Sequence, residues 1–427
     1  MTSRLHTLAL SAALLLPVAA RAQSLGDRVA AARDGDVRFS YAARAGACGD
    51  GRDVVGLGHT VLYVHESMES YGRWSGAECA PGPVRITLSV HGHAVDRVRV
   101  RVGGMAAASD SGVQDLGTVG APAAADYFLA LAGRAESAVA KEAVLAATLA
   151  DSADVAPGLL RIARDSTRPS AARRRAVHFA GYVGGASVAR DLDAIAGRDG
   201  DDRKVREAAL AALASVGSDA SVASLVRFAR AGGDEWLQKS AVFWLGQTES
   251  PVARRTLRAI IDSVAAPERV RGAAIFSLGH GDATTKEDIA YLQSIYGRLE
   301  SKKLQDQVLM AVAQQPGGGA WLLERARDAR DPVSARKQAI FWAGQGSGDG
   351  SASVKELTAL YDALDVRELK EQVIFVLSQR DDRAATDQLI AVARNDPDPA
   401  LRKRALFWLG QKNDPRAAEL IRDIVTH

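Results

Sequence analysis

The sequence predicts a mainly α protein, an α-solenoid of about nine helical repeats preceded by a small disulfide-bonded β domain. A short phrase, best preserved as Ala241–Gln247 and Ala405–Gln411, recurs at intervals of 31–34 residues, which indicates stacked repeats that share one core. Upstream, residues 37–105 alternate apolar and polar side chains with period two, which indicates strands. The residues at the Phe243 position of the nine copies are Leu145, His178, Ala211, Phe243, Phe276, Met310, Phe341, Phe375 and Phe407.

The first 22 residues have the pattern of a secretory signal peptide. Arg4 precedes the apolar run Leu8–Ala20, and a small-x-small motif ends at Ala22, so we expect cleavage after Ala22 and a periplasmic or secreted product. The run is too short to span a bilayer, and no later stretch is long enough, so we expect no integral membrane segment in the mature chain. Loss of Arg4 and Arg21 from 54 basic residues, against 51 acidic ones, leaves a net charge of about +1. This excludes the strongly basic balance typical of nucleic-acid-binding proteins.

The only two cysteines, Cys48 and Cys79, both lie in the N-terminal region. In an exported protein two cysteines are expected to pair, which predicts a disulfide bond. The alternative is two free thiols.

Residues 23–108 are predicted to form the β domain. Its strands include 37–41, 61–64 and a hairpin of 84–90 with 98–102, turning near Gly92. Residues 109–122 lack periodicity and are interpreted as a linker, and 123–427 as the repeat region.

From 123 onward, first helices alternate with the helices that carry the phrase. We predict first helices at 252–264, 286–298, 354–364 and 383–393. Asp or Pro in the turns, as in Asp331-Pro332, suits helix N-termini.

The phrase, read together with Val205–Leu213 and Val270–Gly279, resembles the short HEAT-like repeat of phycobilisome-lyase-type proteins. The resemblance implies that the phrase lies on the second helix of each pair and that these helices line a concave surface. It implies little about function, because such solenoids serve as scaffolds and as enzymes.

Helical spacing sorts the second-helix positions into columns. The columns six and one residues before the Phe243 position are apolar in all nine copies, so we expect them in the core. The column five before it is basic in six copies and is interpreted as an inter-repeat polar ladder. Its members are Arg173, Arg206, Arg271, Arg336, Lys370 and Arg402.

The Phe243 position itself points away from that core, yet it is aromatic or Met in six consecutive copies. Amides recur four residues later, with His280 in the same column. We predict that this stripe binds a polypeptide partner, because an exposed apolar stripe commonly marks an interaction surface; the alternative is that curvature turns these rings into inter-repeat packing. Trp244, Trp342 and Trp408 are expected to pack between repeats. The predicted partner-binding residues are Trp236, Phe243, Gln247, Phe276, Met310, Gln314, Phe341, Gln345, Phe375, Gln379, Phe407 and Gln411.

The sequence offers no complete catalytic constellation. The phrase is similar to that of deoxyhypusine hydroxylase, whose His-Glu metal pairs lie four and three residues before the Phe243 position, but no copy here has histidine there. Zinc binding by His91 and His93, with His59 and His65, is conceivable, although Gly92 should splay the first two rings. We expect no cofactor and no bound transition metal.

Arg97, Arg99 and Arg101 alternate with valines and should share one sheet face. They could bind an acidic partner, or they could form the solvated face of an edge hairpin that discourages aggregation.

The sequence therefore predicts an exported, non-enzymatic scaffold that binds a polypeptide in the concave groove of the solenoid. The alternative is an envelope enzyme or enzyme accessory that acts through the same groove.

Overall fold

The computed structural model describes residues 23–52, 54–57, 60–63, 79–103, 112–280, 284–345, 350–412 and 414–426. The predicted signal peptide, 1–22, and His59 and His65 lie outside the described residues. The chain is mainly helical and divides into two compact units, up to Phe179 and from Ala180 onward.

The first unit contains a four-stranded and a three-stranded sheet. The strands are β1 (Gly35–Tyr41), β2 (Ala47–Gly49), β3 (Val54–Leu57), β4 (Thr60–Tyr63), β5 (Val84–His91), β6 (Ala94–Val102) and β7 (Gln114–Thr118). The larger sheet has the order β6-β5-β1-β7 and the smaller one β2-β3-β4. The predicted hairpin is confirmed: β5 and β6 pair antiparallel through a turn at Gly92 and His93, both with positive φ, as a two-residue hairpin turn requires.

The described part of the predicted linker 109–122 is not an irregular connection. Strand β7 lies there and pairs parallel to β1, and the next helix begins at Ala121. Periodicity missed the strand because its side chains are exposed or half-buried rather than alternately buried. The boundary that the sequence predicts at 109–122 lies inside the first compact unit.

Helices cover the apolar face of the larger sheet. The helices of this unit are α1 (Leu25–Ala30), α2 (Ala121–Ala132), α3 (Ser137–Thr148), α4 (Ala156–Arg164) and α5 (Ser170–Gly184), the last continuing past Phe179. The Phe128 ring of α2 stacks on Phe39, with centroids 5.9 Å apart, and contacts Tyr41. The Tyr41 hydroxyl donates to the Ala146 carbonyl at 2.6 Å, and burial raises the pKa of this phenol. Sheet and helices therefore share one core.

The predicted disulfide is confirmed. Cys48 on β2 is bonded to Cys79, with Cα atoms 5.1 Å apart, and the next residue, Ala80, forms a bridge with Gly49. Such a bond is compatible with a periplasmic or extracellular location.

The second unit is an alternation of helices. They are α6 (Ala189–Ala196), α7 (Arg203–Val216), α8 (Asp219–Arg230), α9 (Glu235–Gly246), α10 (Pro251–Asp262), α11 (Glu268–Gly279), α12 (Lys286–Ile295), α13 (Lys302–Ala313), α14 (Gly318–Arg327), α15 (Val333–Gln345), α16 (Val354–Ala363), α17 (Arg367–Ser378), α18 (Arg383–Asn395), α19 (Pro399–Gly410) and α20 (Pro415–Thr426), with 3₁₀ turns at Gly185–Val188 and Tyr296–Arg298. The predicted first helices agree with α10, α12, α16 and α18 to within two residues at each end, when the 3₁₀ turn after α12 is counted with it.

All nine copies of the phrase lie on helices, namely α3, α5 and the odd-numbered helices from α7 to α19. From α7 onward each of these second helices contacts the next one along the chain and packs against the first helix of its own pair. The two apolar columns are buried as predicted, except for Ala335 and Leu406, which are half-buried.

A buried carboxylate joins two first helices. Asp288, fully buried near the start of α12, accepts hydrogen bonds from Arg254 and Arg258 of α10 and from the Thr285 hydroxyl, the last at 2.8 Å. Burial by itself raises the pKa of Asp288, but the bonds from Thr285 and Arg258 hold it below the usual value. The residue is therefore a charged crosslink between neighbouring pairs.

Candidate functional site

The predicted aromatic column lies on the second helices and is partly open to solvent. Phe243 and Phe407 are 37% and 54% exposed, whereas Phe276, Met310, Phe341 and Phe375 are half-buried. The amides four residues after five of these positions are exposed; they are Gln247, Gln314, Gln345, Gln379 and Gln411.

Some rings of the column also contact neighbouring second helices. Phe341 of α15 stacks on Phe375 of α17 with centroids 6.5 Å apart, and Phe375 meets Trp408 of α19 edge-on at 5.3 Å. The two interpretations of the column thus apply to different members: Phe341 and Phe375 serve inter-helix packing, while Phe243 and Phe407 present apolar surface.

The tryptophans next to the column pack between repeats, as predicted. The Trp244 indole donates to Glu207 of the preceding second helix at 2.8 Å, and the Trp342 indole donates to Asp306 at 2.9 Å. Each bond orients both the indole and the carboxylate. Sequence reasoning missed the acidic partners, which lie four residues before the Phe243 position of the previous copy.

A groove of about 880 Å³ opens along these helices at α9 and α11. Its walls include Trp236, Phe243 and Phe276. Gly272 and Ala273 also line it, at positions where α9 has Lys239-Ser240 and α13 has Asp306-Gln307. Another opening of about 650 Å³ lies beside Phe341 and Phe375, so two of the openings in the described part of the chain lie on the aromatic column.

Trp236 is held in place at the wall of the groove. The guanidinium groups of Arg203 and Arg206 lie 5.5 and 5.2 Å from the centre of its ring, a distance at which cations are attracted to the aromatic face. A fixed aromatic side chain loses little conformational entropy when a ligand packs on it. Trp236 is thus preorganised for an apolar contact.

Charged pairs form one rim of the same groove. Glu235 lies 3.7 Å from Arg269, and Glu268 lies 3.6 Å from Lys303 and accepts from the Ser301 hydroxyl. The Ser301 hydroxyl, more than Lys303, lowers the pKa of Glu268. All four charged groups are largely exposed, so the pairs contribute little to stability. An apolar floor with a mixed-charge rim is the usual composition of a protein-binding surface.

The basic column bonds within each helical pair, and one member also makes the inter-repeat contact that the sequence predicts. The Nε of Arg206 donates to the Ala196 carbonyl at 2.9 Å, and that of Arg271 to the Ile261 carbonyl at 2.8 Å. Arg206 also lies 3.2 Å from Asp234 at the start of the next second helix. The carbonyl acceptors lie in the last turn of the first helix or at its cap, where carbonyls lack helical partners. The same bond joins Arg173 to Ala163, Arg336 to Ala326 and, through Nη1, Arg402 to Asp396. Lys370 instead lies 4.7 Å above the Tyr361 ring.

The glycine of the phrase permits close contact between consecutive second helices. A Cβ on Gly246 would lie 2.6 Å from the Ser277 carbonyl oxygen, and one on Gly279 would lie 2.5 Å from the Ala311 Cβ. One on Gly344 would clash with Val376. The sequence showed the conserved position of this glycine in the phrase but not what it approaches.

The described histidines are not grouped as a metal site. His91 contacts Asp96 at 2.7 Å, while His93 contacts the Ala30 carbonyl at 3.0 Å, so the rings face different partners. Within the described ranges no three His, Cys, Asp or Glu side chains are grouped as metal ligands would be. His280, stacked on Phe276 at 4.2 Å, has its pKa lowered by burial, an effect partly offset by its bond to the Phe276 carbonyl.

Comparison with known proteins gives distant likeness to solved structures alone. No family model matches the chain, and no curated protein matches it. Among solved structures, human deoxyhypusine hydroxylase in complex with glycerol is similar over 57% of this chain and 92% of that chain, at 18% identity and a TM-score of 0.27. At this TM-score the likeness supports no conclusion about fold or activity. None of the helices in the described part of the chain is long and apolar enough to cross a membrane.

Proposed function

We propose that this protein is an exported, non-enzymatic scaffold whose helical pairs form an α-solenoid of about nine HEAT-like repeats, and that it binds a polypeptide partner along its second helices. The observation that carries the proposal is the groove at α9 and α11, where Phe243 is exposed beside the fixed Trp236. Energetic hot spots of protein interfaces are typically such aromatic side chains in or beside a pocket.

The partner's anchor would enter above Gly272 and Ala273. An apolar side chain placed there would cover Phe243 and Phe276, and each Å² of apolar surface removed from water contributes about 25 cal/mol. The exposed glutamines along the column can bond the backbone of an extended chain, which provides contacts that do not depend on the partner's side chains. Export is supported by the Cys48–Cys79 bond and by the pattern of residues 1–22.

The test is selection of displayed random peptides on the chain from Gln23 onward, followed by affinity measurement with a selected peptide in solution. Phe243→Ser should weaken binding about tenfold or more. Gly272→Arg should do the same by placing a long side chain in the groove, since a Cβ there makes only ordinary contacts, with Leu304 at 3.7 Å and Gln307 at 4.0 Å. The matched control is Val264→Ser, a residue 89% exposed and outside the groove, which should bind like the parent.

Thermal melting distinguishes a variant that has lost a binding contact from one that has lost stability. Surface substitutions change the unfolding free energy by roughly 0.5 kcal/mol, whereas truncation of a buried Phe costs about 3–5 kcal/mol. If both groove variants melt with the parent and still bind the peptide as the control does, the groove is not the binding surface.

A further inference from the structure

Three of the nine copies of the phrase share more residues than the others do. In the fourth, seventh and ninth copies the same six residue types, Lys, Ala, Phe, Trp, Gly and Gln, occupy the same places in a run of nine. The runs are Lys239–Gln247 at α9, Lys337–Gln345 at α15 and Lys403–Gln411 at α19. No other copy has both this lysine and this tryptophan. The three runs therefore need a common explanation.

Packing between helices explains only some of the shared positions. The alanine is buried in all three copies. The tryptophan contacts the preceding second helix, and at α9 and α15 the glycine permits close contact with the following one. The phenylalanine takes part in such packing at α15, where Phe341 stacks on Phe375, but Phe243 and Phe407 are exposed. Among the described residues, no hydrogen bond or ion pair joins the lysine or glutamine side chains of these copies to another residue.

The lysine, the phenylalanine and the glutamine form a stripe along one side of each helix. They are spaced four residues apart, so they lie on the same side of the helix, about 6 Å apart along its axis. Lys239 and Lys403 are exposed, and Lys337 is half-buried. We call each set a Lys-Phe-Gln stripe. The three stripes are Lys239, Phe243 and Gln247; Lys337, Phe341 and Gln345; and Lys403, Phe407 and Gln411.

The carboxylates of the preceding second helices have other partners. Glu207, before α9, accepts from the Trp244 indole, and Asp306, before α15, accepts from the Trp342 indole. Glu371, before α19, lies 3.3 Å from Arg404. Charge pairing within the described part of the chain thus does not explain the three lysines.

Two of the stripes border the openings on the aromatic column. Lys239 and Phe243 line the groove of about 880 Å³, and Lys337 and Phe341 line the opening of about 650 Å³. In each case the phenylalanine of the next second helix completes the apolar wall. The third stripe is accessible at Phe407, which is 54% exposed. Each stripe therefore presents a cation beside apolar surface that a ligand can reach.

The spacing within a stripe matches that of an extended peptide. Alternate side chains of an extended chain point the same way and lie about 6.8 Å apart. A segment that runs parallel to the helix can thus place an acidic side chain at the lysine and, two residues later, an apolar side chain at the phenylalanine. Hydrogen bonds between an ammonium group and a carboxylate are stronger than those between neutral groups. The glutamine can bond the backbone of the segment.

We propose that each Lys-Phe-Gln stripe binds one extended segment with an acidic residue two positions from an apolar anchor, and that the partner carries several such segments. The inference rests on the proposed function, because it names the chemistry of the polypeptide that the second helices bind. The positive charge of the lysines selects acidic segments, and the rings supply the apolar contact.

One partner chain can reach more than one stripe. The second helices from α9 to α19 each contact the next, and packed helices lie about 8–10 Å apart. The stripe on α15 is three helices from that on α9, a distance of about 25–30 Å. A flexible linker of about 25 residues has a mean span of that size. Two linked segments should therefore bind more tightly than one, since the second binds within the same complex.

The experiment uses fluorescein-labelled tandem peptides and the whole chain from Gln23 onward. Each peptide has two Ser-Glu-Thr-Leu-Thr segments joined by a Gly-Ser linker of about 25 residues. It should bind at least tenfold more tightly than one segment and weaken with added salt. An isomer with Glu and Leu adjacent, and a peptide with Lys in place of Glu, should both bind more weakly. Equal binding of either peptide, or of the single segment, overturns the proposal.

Variants of equal charge locate the site. Lys239→Gln, Lys337→Gln and Lys403→Gln together should weaken the tandem peptide about tenfold, since each exposed ion pair contributes little by itself. The matched control replaces three exposed cations of first helices by glutamine; they are Arg255, Lys286 and Lys355. It should bind like the parent. Equal affinities of the stripe and control variants contradict the proposal.

Reversal of the charge gives a result that a merely structural role of the lysines would not produce. With glutamate at the three lysine positions, the protein should prefer the Lys peptide to the Glu peptide. Lys239→Glu alone, at an exposed position, should shift the preference in the same direction and keeps the test valid if the triple variant fails to fold. An unchanged preference in a folded variant refutes the charge selection.

The remaining outcomes separate this inference from the proposed function. If Phe243→Ser weakens selected peptides but the lysine variants do not, the groove binds polypeptides without acidic selection, and only this inference is wrong. If no selected or designed peptide binds, both are wrong. If phosphatidylglycerol vesicles bind more tightly than the tandem peptide, and lose that binding in the triple glutamine variant, the stripes are a membrane surface and the inference is wrong.

Discussion

Replacement of Gly246 by alanine should destabilise the second unit, although alanine is the better helix former. The added methyl group would lie 2.6 Å from both the Cβ and the carbonyl oxygen of Ser277, so α9 and α11 must move apart. Extra methyl groups in a packed interface cost about 1–3 kcal/mol. Alanine is favoured over glycine within a helix by about 0.5–1 kcal/mol, which offsets part of this cost. The expected net loss is about 1 kcal/mol, from the midpoints of the two ranges.

Gly272 provides the matched control within the next second helix. A Cβ there meets the Leu304 side chain at an ordinary 3.7 Å, so Gly272→Ala gains the helical preference without a clash. We expect it to stabilise the protein by about 0.5–1 kcal/mol. The two identical substitutions should therefore have opposite signs.

The assay is urea denaturation and thermal melting followed by tryptophan fluorescence, since Trp236 and Trp244 lie on the same helix as Gly246. For a unit of this size each kcal/mol shifts the melting temperature by about 2–4 °C. If Gly246→Ala melts at or above the parent, or if Gly272→Ala is equally harmful, close helix contact is not the reason for the glycine.

Three other substitutions test separate features. Asp288→Ala should lower the free energy of unfolding by about 3–5 kcal/mol, because Arg254 and Arg258 lose the carboxylate that accepts their hydrogen bonds. Folding lowers the pKa of Asp288, so this stabilisation should be present at neutral pH and disappear in acid. A variant that melts with the parent at neutral pH would contradict this. Folding lowers the pKa of His280 from 6.5. Below about pH 6.5 the unfolded chain therefore binds the proton more readily than the folded one, and stability should fall. Urea denaturation midpoints at pH 5 and pH 8 should show a smaller fall for His280→Gln than for the parent. Thiol titration of the denatured, unreduced protein should find no free thiol, and two titratable thiols would refute the disulfide bond. The double variant Cys48→Ala/Cys79→Ala should have a free energy of unfolding lower by about 3–4 kcal/mol.

The helices and the hairpin were predictable because their signals are local. Alternation in 84–102 fixes which side chains face the core, and the recurring phrase fixes the second helices. Strand β7 was not predictable, since its polar residues are ordered by pairing with β1, 77 to 78 residues earlier in the chain.

The candidate site was predictable only in part. Spacing along a helix identifies the face on which Phe243 lies, but not that Gly272 and Ala273 of the adjacent helix line the same groove. Likewise the column of arginines is visible in the sequence, whereas the carbonyls that accept its hydrogen bonds are not. Contacts between elements decide these details, and one-dimensional periodicity does not contain them.

The bond from Arg206 to Ala196 joins residues only ten positions apart in the chain, and the same separation recurs for Arg173, Arg271 and Arg336. Closing so short a loop costs little chain entropy. Each helical hairpin can thus form its arginine-to-carbonyl hydrogen bond before the neighbouring hairpins have folded. Folding can therefore start at several points along the chain and spread outward from them. A destabilising substitution in one helical hairpin would then slow the formation of that hairpin, while distant hairpins could still nucleate folding.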